Sequence, residues 1–170
     1  IIDNPEDGTY VQDDFDGSSV TYYPNANYNG YDSFIFIAND GQFDSNQATI
    51  SLTVMSVNDA PYLLDIPDSD VESSSVFTYE LQAVDVDGDE LTYTVSLDGD
   101  ADATISGNML TISPNAYGGL IEVAVLATDG VSTDTEYFTI TVYTEGCTAP
   151  DCCNYNPNAN VDDGSCVCID

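Results

Sequence analysis

The segment VDVDGDE, residues 84–90, sets Asp85, Asp87, Asp89 and Glu90 close together around one glycine, and Asn58 and Asp59 stand in SVNDAP, residues 56–61. Such side chains are the donor set of a hard cation. Calcium takes six to eight oxygens from carboxylates, asparagine side chains and backbone carbonyls. The chain has 31 Asp and Glu and no Lys, Arg or His, a formal charge of -31, so every neutralising charge must come from outside the polypeptide. The competing reading is a set of solvated acidic turns, because Asp, Asn and Gly are also what tight turns need. An EF-hand is excluded by spacing, since its loop needs Gly at the sixth position, where this segment has Glu90. The glycine-rich nonapeptide calcium repeat is also absent.

The same composition closes off much other chemistry. Without His or Lys there is no histidine base, no Ser-His-Asp triad and no Schiff-base lysine, and without Arg no guanidinium to steady an oxyanion. Paired carboxylates are inevitable among so many acids, and nothing suggests a cleft that would raise the pKa of one of them. The reading is therefore a non-catalytic chain. Nucleic acid is excluded as a partner, since phosphate recognition rests on Lys and Arg. No apolar run is long enough to span a bilayer, so direct membrane insertion is not expected. Trypsin-like proteases find no cleavage site, and an intramolecular Lys-Asn staple cannot form.

Near the C-terminus, Asn156, Asn158, Asn160 and Asp162 alternate before Asp163-Gly164, an extended arrangement that points oxygens to one side and offers a second calcium site; a turn-rich loop is the alternative. Cys147, Cys152, Cys153, Cys166 and Cys168 all lie in this region, which reads as a disulfide-stapled module made in an oxidising compartment. Vicinal Cys152 and Cys153 rarely pair with each other, so two disulfides leave one odd thiol, available to link two chains. Zinc is the competing reading, weakened by the lack of Cys-x-x-Cys spacing and of His. Tyr22, Tyr23, Tyr28 and Tyr31 form an aromatic cluster that could stack on sugar rings; the alternative is packing at a sandwich edge with the hydroxyls bonded to backbone.

The elements that must position these groups repeat. VTYYPNANYNGYDSFIFIANDGQFDSNQATISLTV (20–54) and LTISPNAYGGLIEVAVLATDGVSTDTEYFTITV (110–142) share Pro-Asn-Ala triplets, Asp-Gly pairs and closing β-branched runs at an offset of about 90 residues. Leu91, Tyr93, Val95 and Leu97 alternate with Thr92, Thr94 and Ser96, as on a half-buried strand. Further strands are expected near 62–66, 75–83, 101–106, 108–113 and 120–128, and through Phe138, Ile140 and Val142. These make about seven, with no helical periodicity. Seven short antiparallel strands in a copy of this size predict an all-β, immunoglobulin-like sandwich.

The expected organisation is the C-terminal part of one sandwich with its linker over 1–60, a complete sandwich over 61–144 and a Cys/Asp/Asn-rich module over 145–170. The repeat offset places the start of the first copy roughly 28 residues before Ile1, a shortfall of about two strands. Either more chain precedes it or a neighbouring subunit donates a strand. In such a sandwich two loops lie at the pole beside the preceding linker, so Asp85, Asp87, Asp89 and Asp129 would face Asn58 and Asp59 and form an interdomain cation site.

PNANYNGYDSFIFIANDGQ, SVNDAP and AVDVDGDELTYTV resemble the tandem cadherin-like repeats of large bacterial surface proteins, over residues 1 to about 143. In cadherins, calcium between domains is held by an Asp-x-Asn-Asp-Asn linker and an Asp-x-Asp loop. The resemblance places Asn58 and Asp59 on the linker and Asp85 and Asp87 on the loop. Ser56 and Ala60 depart from the linker motif, so one or two ions are expected rather than three. The tail, 146–166, resembles a short repeat of secreted proteins of marine Bacteroidetes, with Cys147, Cys153 and Cys166 at the family's cysteine positions and Cys152 and Cys168 as additions. Together these imply an extracellular stalk, adhesin or filament module stiffened by calcium, whose partners are copies of itself or adjoining repeats. The alternatives are adhesion to a glycan or cell-surface ligand, or an accessory region of a large secreted enzyme.

Overall fold

The computed structural model describes residues 1–12 and 19–168. It divides into two compact units, Ile1–Asn58 and Asp59–Asp170, and among the described residues every regular element is a strand.

In the first unit, β1 (Gly8–Gln12) pairs antiparallel with β2 (Val20–Pro24), and β3 (Gly30–Phe36) with β4 (Ala48–Val54). The alternation of β3 turns Asp32 and Phe34 inward. The Phe34 ring lies 6.3 Å from that of Tyr10, which ties the two ladders together. Aligned on Gly30 and Gly119, which share a left-handed φ of 137° and 135°, the copies put Asp32 where the second has the buried Ile121. A carboxylate in an apolar position must be hydrogen-bonded, and Asp32 is. It accepts from the amides of Glu6, Asp7 and Ser33 and from the Tyr22 hydroxyl, all at 2.7–3.1 Å.

The second unit is a sandwich. Its first strand is split into β5 (Tyr62–Leu63) and β6 (Ser69–Glu72), and its second into β7 (Phe77–Glu80) and β8 (Ala83–Val84). Then follow β9 (Thr92–Asp98), β10 (Ala101–Ser106), β11 (Met109–Pro114), β12 (Gly119–Thr128) and β13 (Thr133–Tyr143). One sheet runs β10-β11-β7; the other runs β6-β13-β12-β9, with β6 parallel to β13; β5 pairs with β8.

The expected strand at 62–66 therefore covers only two residues as β5, and the chain re-enters order as β6 in the four-stranded sheet. Pro67, lacking an amide, separates the two, and the Asp68 carboxylate accepts the Thr139 amide at 2.7 Å to guide the crossing. The remaining strands follow the sequence alternation closely. Leu110, Ile112, Ile121, Val123, Val125, Ile140 and Val142 are all but fully buried between the sheets. Each such side chain contributes roughly 1.5–3 kcal/mol of transfer free energy. Phe77 and Phe138, one from each sheet, meet with ring centroids 5.8 Å apart. The β9–β10 corner needs Gly99, at φ 141°, because a Cβ there would lie 3.0 Å from the Ile121 backbone.

Residues beyond β13 belong to the same compact unit. β14 (Glu145–Gly146) runs parallel to β15 (Val161–Asp162). Asn160 accepts the Thr144 amide at 2.7 Å and donates to the Val142 carbonyl at 3.3 Å, which fastens the module to the end of β13.

Candidate metal centre

After β8 the chain turns through the acidic segment before β9. Asp85 builds the turn, its Oδ1 accepting the amides of Asp87, Gly88 and Asp89 at 2.9, 3.0 and 3.3 Å. Gly88 takes φ 79°, a left-handed conformation that a side chain would strain. The turn brings carboxylate oxygens of Asp85, Asp87 and Asp89 within 4.8 Å of one another. Asp85 Oδ2 is shut off from solvent and has no hydrogen-bond partner.

A buried carboxylate oxygen beside two further carboxylates is unfavourable unless a cation shares it. The donor set is all hard oxygen, which suits calcium and not zinc. The Asp59 amide donates to Asp87 Oδ2 at 2.7 Å, so the segment that opens this unit is tied to the turn.

The other residues singled out as ligands have these placements. Asn58 closes the first unit. Asp129 is outside the three-carboxylate group; its Oδ1 accepts the amides of Val131 and Ser132, both at 2.6 Å, and closes the β12–β13 turn. In the tail, Asn156 Oδ1 accepts the Asn158 amide at 3.0 Å, Asp162 Oδ1 the Gly164 amide at 3.2 Å, and Asn160 is engaged with β13 as described. The Ser165 hydroxyl and amide hold Asp163 below the usual carboxylate range.

Two carboxylates with positioning roles escaped the sequence reading. Asp134 Oδ2 accepts the Leu63 amide at 2.8 Å and Asp68 receives Thr139. The available signal for Asp134 was its parity: it shares the inward register of Phe138 and Ile140 on β13.

Cys147 pairs with Cys166 and Cys152 with Cys168. The odd thiol is the exposed Cys153, whose Sγ lies 3.1 Å from the Val167 carbonyl oxygen. In the tyrosine cluster, Tyr28 donates to the Tyr31 carbonyl at 2.7 Å and Tyr22 to Asp32 at 2.8 Å. Burial, then the hydrogen bond and charge of Asp32, push the Tyr22 hydroxyl up to about 12. Burial and the Asp7 carboxylate also raise Tyr28. For Asp32 burial is the largest single influence and acts upward. The donors Tyr22, Ser33, Glu6 and Asp7 together outweigh it and hold the carboxyl below its ordinary range.

Residues 1–53 match the family model of a bacterial Ig domain. Among solved structures, the EC1-2 region of human protocadherin-24 superposes with TM-score 0.50 at 14% identity, covering 78% of this chain and 75% of that one. The titin domains z1z2 in complex with telethonin give TM-score 0.39 at 17% identity, covering 83% and 74%. The endo-fucoidan hydrolase MfFcnA4 of glycoside hydrolase family 107 gives 0.41 at 23% identity, covering 79% of this chain and 22% of that one. This chain thus spans about a fifth of the length of that hydrolase. No curated protein matches. The fold is one of tandem immunoglobulin- and cadherin-like repeats, all-β, followed by a disulfide-bonded C-terminal region.

Proposed function

We propose that this chain is a non-catalytic, extracellular structural module of a surface stalk, adhesin or filament, and that it takes up calcium at the turn formed by Asp85, Asp87 and Asp89. The observation that carries the reading is the solvent-excluded, unpartnered Asp85 Oδ2 within a group of three carboxylates, in a chain with no basic side chain.

Asp85, Asp87 and Asp89 would hold the ion, which when bound supplies the positive charge the polypeptide lacks. The residues themselves do the rest. Asp85 Oδ1 keeps the turn closed through three amides, and Asp87 anchors the backbone of Asp59. Neutralising this turn favours the ordered arrangement at the start of the unit, and repeated along a string of such repeats it would give a stiffer spacer. The absence of His, Lys and Arg supports a non-catalytic role, and two disulfides suit an oxidising, extracellular setting. Copies of the same chain or adjoining repeats are the expected neighbours.

The test is thermal unfolding at moderate salt with millimolar calcium, millimolar magnesium or a chelator. A calcium-specific rise in Tm of many degrees supports the reading. Coincident curves in all three conditions would leave the turn a solvated acidic loop and remove the calcium-dependent spacer.

A further inference from the structure

The outer face of the four-stranded sheet carries a feature that the metal centre does not use. Register places Asp98 on β9, Glu122 on β12 and Thr139 on β13 abreast, and the next row is Ser96, Ala124 and Tyr137. Because the middle of that second row is only alanine, the face sinks there. The result is a cleft of about 450 Å³, with Leu97, Val123 and Phe138 also contributing to its lining. Tyr137 stands 75% exposed as one wall, and Asp68 lies at the rim.

Like charges directly opposite on neighbouring strands destabilise a sheet, and Asp98 and Glu122 are such a pair in a chain with no base to separate them. An aromatic face beside carboxylates is the setting in which ammonium and guanidinium groups bind. We propose that this cleft receives a lysine or arginine side chain from a partner protein. The aliphatic stem lies on the Ala124 floor against Tyr137, and the charged head sits between Asp98 and Glu122. Charge complementarity selects this occupant. A neutral sugar would leave the opposed carboxylates unrelieved, and a bare metal ion would leave the exposed Tyr137 ring unused.

The test uses the full 170-residue chain in millimolar calcium and a capped hexapeptide carrying one lysine among alanine and serine, with its glutamine counterpart as control. Amide shifts followed by NMR should concentrate on 96–98, 122–124 and 137–139. Glu122→Gln and Tyr137→Ala should each weaken the lysine peptide roughly three- to tenfold, whereas Asp151→Asn, which removes the same charge from the tail, should leave it unchanged. Glu122→Gln is nearly isosteric, and an unchanged circular dichroism spectrum confirms that its effect is local. Equal weakening by Asp151→Asn would reduce the effect to diffuse attraction and overturn the proposal. So would shifts confined to 85–89, or binding of a neutral oligosaccharide that Tyr137→Ala abolishes and Glu122→Gln does not touch.

Discussion

Asp89→Asn should raise the stability of the second unit without calcium and cut the stabilisation that calcium gives it. The Asp89 carboxylate lies within 4.8 Å of those of Asp85 and Asp87. At that separation a like-charge pair costs roughly 0.9 kcal/mol at the dielectric of water, so removing two such pairs relieves on the order of 1–2 kcal/mol at low salt. With a Tm shift of roughly 4–8 °C per kcal/mol for a domain near this size, the metal-free variant should melt several degrees above the wild type. Added salt should erase the difference as screening shortens the reach of the charges.

With calcium that advantage is offset. An ion present at a hundred times its Kd contributes about 2.7 kcal/mol, and loss of one of three carboxylates should weaken binding by about tenfold or more, near 1.4 kcal/mol. Differential scanning calorimetry should therefore show the variant melting above the wild type in chelator, and a calcium-induced rise in Tm that is about half as large in the variant, which brings the two close together in millimolar calcium. If Asp89→Asn lowers Tm equally in both conditions, the carboxylate serves only the turn and the ion-site reasoning is refuted.

Two further outcomes are expected. The lowered pKa of Asp32 means that its stabilisation of the first unit is present above the unfolded value near 3.9 and is lost as pH falls toward the folded one, while Tyr22, raised to about 12, contributes below its ordinary value near 10 and loses that contribution as pH rises toward about 12; Tyr22→Phe should therefore move acid unfolding, followed by circular dichroism, to higher pH and remove the most alkaline tyrosinate transition. The Cys147–Cys166 bond spans a separation of 19 residues, worth roughly 3 kcal/mol in loop entropy, so the double serine variant should lose amide-exchange protection across 146–166 while β12 and β13 keep theirs.

The sandwich was legible because buried strands in an antiparallel sheet announce themselves by alternation, as Leu91 to Leu97 and Phe138 to Val142 do. β6 was not. Its sequence, Ser-Asp-Val-Glu, carries one apolar residue, Val71, and its order comes from parallel pairing with β13, more than sixty residues away. The Asp85 turn was legible as a cluster because its donors are local. The placement of Asp129, and the use of Asn160 to fasten the tail, depend on which backbone amides lie near each side chain, and residue spacing does not carry that. The odd cysteine was countable, but its identity as Cys153 follows from which of two neighbours turns inward: Cys152 is buried and Cys153 is exposed.

The parallel pairing of β6 with β13 has a mechanical side. These strands lie side by side near the start and the finish of the sandwich's stretch of chain, and tension applied to the chain before β6 and after β13 would pull them along their length in opposite directions. The rungs from Ser69 opposite Ile140 to Glu72 opposite Tyr143 would then carry the load together, in shear, where a hairpin pulled from its open end gives way one bond at a time. The Ser73 amide on the Tyr143 carbonyl and the Ser73–Thr144 hydroxyl contact lengthen that seam by another step. A sandwich joined in this way resists stretching by the number of bonds that must break at once, and that is a property a tether can use.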